Sequence, residues 1–334
     1  MRQAMNAHTP QAILELARNF MESRILLSGA ELNLFTLLAS SPLSAEELAS
    51  RTGANIRGLT ILLDALAAME LLVKQEGKYS CPPAISSLLA ENSSGSILPM
   101  VHHMGHVWQR WSNLTERVKG REVPAKPAES QEANQTIAFI GAMHAIGAKL
   151  APGIVAAVNP GAAGHLLDVG GASGTYTLAF LRTVPGMRAT LFDKPEVIPI
   201  ARTRLGEAGV LDRVTLVGGD FYRDEFPPGP DLAFISAIIH QNSREENLDL
   251  YRKVFRALVA GGRVIIRDHI MEPGRTRPRD GAIFAVNMLV ATRGGKTYTF
   301  EEIRSGLAQA GFVRVRLLQQ GERMEGLVEG FKPI

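Results

Sequence analysis

From His165 onward, short apolar runs alternate with stretches of helical character, and no other feature of this chain narrows its folding options as far. The runs predict strands at His165–Gly170, Ala189–Asp193, Val214–Asp220, Asp231–Ser236 and Arg263–His269, with helices starting near Gly174, Pro195, Ser243 and Thr299. Alternating strand and helix predicts a parallel, doubly wound α/β sheet. Two capping boxes, Ser243-Arg-Glu-Glu246 and Thr299-Phe-Glu-Glu302, mark helix starts independently of the apolar pattern, because their side chains satisfy free N–H groups of a first turn. Val313–Leu318 and Gly326–Phe331, around a turn at Gly321, predict an antiparallel hairpin at one edge.

In such a sheet, ligands bind beyond the carboxyl ends of the strands where strand order reverses. The first strand runs into Asp168-Val169-Gly170-Gly171-Ala172-Ser173-Gly174. A dinucleotide site would want Gly-x-Gly-x-x-Gly, but counting from Gly170 the third position is Ala172 and the sixth is Thr175. Asp168, just before the first glycine, can hold a cationic amine, which dinucleotides lack. Asp193 ends the second strand, at a position from which a carboxylate accepts both hydroxyls of a ribose; NAD, adenosine and S-adenosylmethionine are served equally. The third strand ends in Gly218-Gly219-Asp220-Phe221, an acid for an adenine amino group and a ring to pack on its face.

The first hundred residues read differently. Ile13–Ala39 is helical with an expected break near Ser28-Gly29, the capping box Ser44-Ala-Glu-Glu47 opens Ala45–Arg51, and a third helix covers Leu59–Leu71. Leu72-Val73 and Lys78–Ser80 then flank Gly77 as a hairpin, so the order is that of a winged helix. Although the whole chain carries +3, residues 1–96 contain seven basic and nine acidic side chains. The third helix offers Thr60, Asp64 and Glu70 where a groove-reading helix offers Arg, Lys, Asn or Gln. This predicts a winged helix used for packing or pairing, with no nucleic-acid partner.

Ile97–Val158 reads as helical around a charged, Pro-rich loop at Gly120–Glu132. His102, His103 and His106 share that stretch with Trp108 and Trp111 but with no nearby Cys, Asp or Glu, so they predict a packed helix and no metal site. Cys81 is the only cysteine, which excludes an internal disulfide and fits a reducing compartment. With 46% hydrophobic and 21% charged residues, and with charges interrupting the most apolar stretches, the expectation is a cytoplasmic protein with no membrane segment.

The run Leu167-Asp-Val-Gly-Gly-Ala-Ser-Gly174, followed by Phe192-Asp193, Gly218-Gly-Asp-Phe221, Ile238-Ile-His240 and Gly294-Gly295, resembles the S-adenosylmethionine-dependent O-methyltransferases of the caffeic-acid and acetylserotonin type. The resemblance covers residues 12 to 332. It implies a mixed fold: an α-helical winged-helix domain (12–96) that forms a homodimer, a helical linker contributing to the substrate pocket (97–158), and a doubly wound, Rossmann-like methyltransferase domain (159–334) with an antiparallel C-terminal strand.

It also implies roles. Gly170 and Gly174 would shape the loop for the cofactor's methionine, Asp168 would lie near its amino group, and Asp193 would take the ribose hydroxyls. Gly219, Asp220 and Phe221 would hold adenine. Ser236, also expected at the cofactor, stands where plant members tend to carry Lys. His240 matches the general base, which takes the hydroxyl proton as oxygen attacks the methyl on sulfonium. An imidazole ordinarily titrates near ~6.5 and is an available acceptor at neutral pH. Plant members flank the base with two glutamates; the first matches Asp268, and the second is Thr297 here. Phe139, Met143, Asn287 and Met288 are expected at the substrate, a small hydroxylated aromatic or polyketide-like molecule. Thr297 and Ser236 motivate an alternative, the same cofactor used for C- or N-methylation or by a decarboxylating or hydroxylating offshoot. A cofactor-sensing DNA-binding regulator and a dehydrogenase are the remoter readings.

Overall fold

The computed structural model describes residues 9–93, 95–121 and 129–334; within the helix Glu129–Val158, side chains are described at 140, 141, 143, 144 and 147–158. Phe139 therefore has its backbone in that helix and its side chain outside the described residues. The chain divides into two compact units, Met1–His106 and Val107–Ile334.

In the first unit, the helix Phe20–Glu31 runs straight through Ser28-Gly29, where the sequence predicts a break. Gly29 is present for packing: a Cβ there would lie 3.0 Å from Leu66 and 3.3 Å from Phe35. The breaks fall instead at Asn19 and at Asn33, whose left-handed backbone (φ 54°) asparagine tolerates better than most residues. The third helix is Ile56–Ala68, three residues earlier at each end than expected, because the Asn55 side chain accepts from the Gly58 N–H at 3.2 Å and Glu70 turns left-handed (φ 60°). Leu59, Leu63 and Leu66 line one face and are buried, each burial contributing roughly 1.5–3 kcal/mol. Lys78–Ser80 pairs antiparallel with Val73–Gln75 on one side and with Leu43–Ser44 on the other. The helix Pro10–Arg18 buries no residue, and Ile13, Leu14 and Leu16 on it are about half exposed.

The second unit is built on one sheet: β1 His165–Val169, β2 Arg188–Asp193, β3 Val214–Gly218, β4 Leu232–Ser236, β5 Arg263–Asp268, β6 Val313–Gln319 and β7 Gly326–Phe331, in the order β6-β7-β5-β4-β1-β2-β3. β1 to β5 run parallel, and β7 is antiparallel to both β5 and β6. The C-terminal hairpin is thus at the edge, as predicted. Strands β1, β4 and β5 are buried along nearly their whole length, which is why they read as continuous apolar runs. Both predicted capping boxes are formed, at Ser243/Glu246 and Thr299/Glu302. Strand order reverses between β1 and β4, so the crevice for a ligand opens at their carboxyl ends. No helix among the described residues is long and apolar enough to cross a membrane.

Candidate active site

The loop after β1 is held flat against the end of the sheet. Gly170 (φ 64°) and Gly174 (φ 78°) adopt left-handed backbone, and a Cβ at either would meet a core side chain: Ile238 at 2.6 Å or Leu205 at 3.0 Å. Gly171 would strike Leu191 at 2.6 Å, and Gly219, at the end of the third strand, would strike Phe192 at 2.5 Å. The glycines serve the crevice indirectly, by letting each loop settle into the core beneath it. Ala172 is itself left-handed (φ 48°), so a residue that carries a Cβ bears backbone strain in this loop.

Asp193 fastens that loop. Its Oδ2 accepts from the Ala172 N–H at 2.7 Å and its Oδ1 from the Lys194 N–H at 2.7 Å. A carboxylate has about four lone-pair sites, so each oxygen keeps one for a further donor. Burial raises the carboxyl's pKa against those two hydrogen bonds. Asp168 is 2% exposed, accepts from Thr177 Oγ1 at 2.6 Å, and is pushed up to about 7 by burial, against that hydrogen bond. Neither acid has a basic side chain within ion-pair distance among the described residues.

Asp220 lies in a tight turn, its Oδ1 accepting from the Tyr222 N–H at 3.0 Å while its own N–H donates to Asp224 Oδ2 at 2.8 Å. The rings of Phe221 and Tyr222 pack at a tilt with centroids 4.5 Å apart, and Lys253 donates to the Phe221 carbonyl at 2.9 Å. Gly219 N–H donates to the Asp193 carbonyl at 2.9 Å, which ties the second and third strand ends together.

His240 sits in a single 3-10 turn, Ile239–Gln241, beyond β4. Its Nδ1 faces both oxygens of Asp268, the last residue of β5. Nε2 has no partner among the described residues. The turn is locked from behind by Asn242, which is fully buried: its Oδ1 accepts from Tyr222 Oη at 2.6 Å, its Nδ2 donates to Asn247, and its carbonyl accepts from Tyr298 Oη at 2.6 Å. Gly294-Gly295 lies across this turn so closely that a Cβ on Gly295 would come within 2.6 Å of the His240 carbonyl. Thr297 is buried, but what it gives to a cation is its carbonyl, which accepts from Arg275 at 3.1 Å; among the described residues Asp268 is the one acid on His240.

The helix Arg279–Ala291 places Phe284 edge-on to His240 at 4.8 Å and against His269 at 4.7 Å. Asn287, one turn on, accepts from the Trp111 indole at 3.0 Å; Met288 is buried, and Met143 is 37% exposed. Ser236 Oγ accepts from Arg267 at 3.0 Å. Phe284 shares the face of Asn287 and Met288 at helical spacing, so its place was readable in the sequence. Arg267 and the Tyr222–Asn242 pair carried no such signal, because strand pairing and a long-range side-chain bond bring them in.

Asp168 and Asp193, two acids at neighbouring strand ends without cationic partners among the described residues, one of them a fully buried carboxyl, fit a ligand that is positively charged and hydroxyl-bearing and disfavour a pyrophosphate; Asp220 at the third strand end faces only the exposed Arg223, at 3.8 Å. Residues 117–313 match the family model of the O-methyltransferase domain, and residues 14–91 that of the O-methyltransferase dimerisation domain. The chain is 32% identical to the tetracenomycin polyketide synthesis 8-O-methyl transferase TcmO of Streptomyces glaucescens, over 93% of this chain and 95% of that one. It is 28% identical to the 3-hydroxy-5-methyl-1-naphthoate 3-O-methyltransferase of Streptomyces sahachiroi, over 97% and 95%. The solved structure of PigF with SAH superimposes with a TM-score of 0.84 at 25% identity, covering 97% of this chain and 100% of that one.

Proposed function

This chain belongs to the O-methyltransferase family, whose methyl donor is S-adenosylmethionine, and on that premise we propose that it methylates a hydroxyl of a small aromatic or polyketide-like metabolite with His240 as general base. The observation that carries the proposal is the His240–Asp268 pair. A carboxylate can only accept, so the hydrogen of the imidazole resides on Nδ1 and the lone pair on Nε2. Nε2 would take the acceptor's proton while the oxygen, becoming phenolate-like, would bond to the methyl carbon as the carbon–sulfur bond of the donor breaks and a neutral thioether leaves. Asp268 steadies the imidazolium that results. The edge of Phe284 limits the tilt of the ring.

Bound S-adenosylmethionine supplies an electrophilic methyl on a sulfonium. In this reading Asp168 holds the ammonium, Asp193 the ribose hydroxyls through its free lone pairs, Gly219, Asp220 and Phe221 the adenine, and the loop Gly170–Gly174 the methionine. Ser236 borders the same end. Phe139, Met143, Asn287 and Met288 are assigned to the acceptor; the occupied carbonyl of Asn287 leaves its amide as the available donor. The division into 12–96 for pairing, 97–158 for the acceptor and 159–334 for cofactor and chemistry is part of the proposal.

Pairing as a homodimer is supported by the dimerisation-domain match and by the apolar side chains Ile13, Leu14, Leu16, Phe20 and Met21, each about half exposed. A cytoplasmic setting is consistent with Cys81, whose thiol burial pushes up to about 11 and so keeps unreactive. The test is transfer of a labelled methyl from S-adenosylmethionine across a panel of phenols, quinols and hydroxynaphthoates, with product mass and position determined. Products methylated on carbon or nitrogen, or products that have lost carbon dioxide, would overturn the O-methylation reading.

A further inference from the structure

Arg267 is the penultimate residue of β5, so its side chain leaves the sheet on the face opposite Asp268. It is 7% exposed. Nη1 donates to Ser236 Oγ at 3.0 Å, and the guanidinium carbon lies 5.1 Å over the Tyr176 ring. Nε is enclosed with no partner, as is the Tyr176 hydroxyl. Among the described residues no carboxylate stands within ion-pair distance of this arginine. The acids around Tyr176 are engaged elsewhere: Asp168 by Thr177, and Glu325 by the Arg323 N–H.

A buried guanidinium without a counter-ion is costly, and such a group is retained where a ligand brings the missing charge. The location specifies which charge. Ser236 closes β4, and Tyr176 lies in the first turn of the helix Thr175–Thr183, directly after Gly174. Arg267 therefore spans the two sides of the switch-point crevice. The three acids there can receive a cation and hydroxyls, but none can receive a carboxylate, whereas the amino-acid end of S-adenosylmethionine carries both an ammonium and a carboxylate.

We propose that Arg267, oriented by Ser236 and Tyr176, is the receptor for the α-carboxylate of the cofactor. The inference rests on the assignment of the cofactor to these strand ends. It also gives the hydroxyl at position 236 a purpose: the positive charge that plant members tend to carry at this position is delivered here from the adjacent strand.

The experiment is calorimetric binding, without acceptor, of S-adenosylmethionine and of decarboxylated S-adenosylmethionine to the full-length protein and to Arg267→Met and Arg267→Lys. The unaltered protein is expected to prefer the carboxylated ligand by roughly tenfold or more, the range of a charge-assisted hydrogen bond. Arg267→Met should weaken that ligand about 10- to 100-fold and leave the decarboxylated one within about twofold. Arg267→Lys, which keeps the charge, should lose about tenfold or less on the first and nothing on the second; it decides the matter if the methionine variant does not fold. Equal losses on both ligands, or none on either, would overturn the proposal. Failure of the unaltered protein to bind either ligand would overturn the cofactor assignment itself, and this inference with it.

Discussion

Nδ1 of His240 lies 2.9 Å from each of the two carboxylate oxygens of Asp268. Symmetric acceptance by both oxygens fixes the ring in rotation as well as in tautomer, and Phe284 meets it at 90° from the side. His240→Gln is expected to lower turnover about 10²–10⁴-fold while cofactor affinity stays within about twofold. Asp268→Asn should also lower turnover, since an amide can present either a donor or an acceptor to Nδ1. Single-turnover rates alongside calorimetric cofactor affinity check both, and an unchanged rate in His240→Gln would remove the base assignment.

Asp168 gives a pH signature. Burial raises its folded-state carboxyl to about 7, above the ~3.9 of an unfolded chain. Its contribution to the stability of the free protein is therefore complete below about pH 4 and is lost as the pH rises through about 7. A bound ammonium favours the ionised form, so cofactor affinity should rise between about pH 6 and 8, with proton release on binding at the lower pH. Titrations in buffers of different ionisation enthalpy measure the release. Asp168→Asn should bind more weakly and lose this part of the pH dependence.

Ala172 pays for its left-handed backbone with about 1–2 kcal/mol that glycine would not incur. Glycine costs about 0.4–1 kcal/mol through the freer unfolded chain. Ala172→Gly should thus stabilise the protein by roughly 0.5–1 kcal/mol and raise the Tm by about 1–3 °C. A lowered melting temperature in calorimetry would mean that the alanine methyl makes packing contacts that outweigh the strain.

Tyr222 and Asn242 join the turn after the third strand to the turn that carries His240. Tyr222→Phe leaves a fully buried amide oxygen without its donor, at a cost of about 1–3 kcal/mol. Both KM for the cofactor and kcat should worsen. Combined with Asn242→Ala, the losses should fall short of additive by at least about 0.5 kcal/mol in a double-mutant cycle; strict additivity would show the two turns to be independent.

Features written in local spacing are legible in the sequence alone. Three capping boxes, at Ser44, Ser243 and Thr299, lie where their Ser/Thr-x-x-Glu patterns place them, because a cap is an interaction between residues three apart. Gly29 misled, since a glycine that permits close approach of Leu66 is indistinguishable in sequence from one that ends a helix. The strand-end glycines stand out in the sequence, but that a side chain there would strike the core depends on Ile238, Leu205, Leu191 and Phe192, which only the fold brings beneath them. The bond from Arg267 to Ser236 depends on the pairing of β5 with β4, in which the two residues stand side by side although 31 positions apart.

The contact of Gly295 with the His240 carbonyl has a practical side for enzyme engineering. A library that randomises this glycine to widen the range of acceptors would displace the base before it reshaped the binding surface, and most of its members would be dead for reasons unrelated to selectivity. Phe284, on a helix separate from the strand ends, is the more promising handle: shortening or polarising it alters what stands against the His240 ring while leaving the machinery that grips the methyl donor as it was.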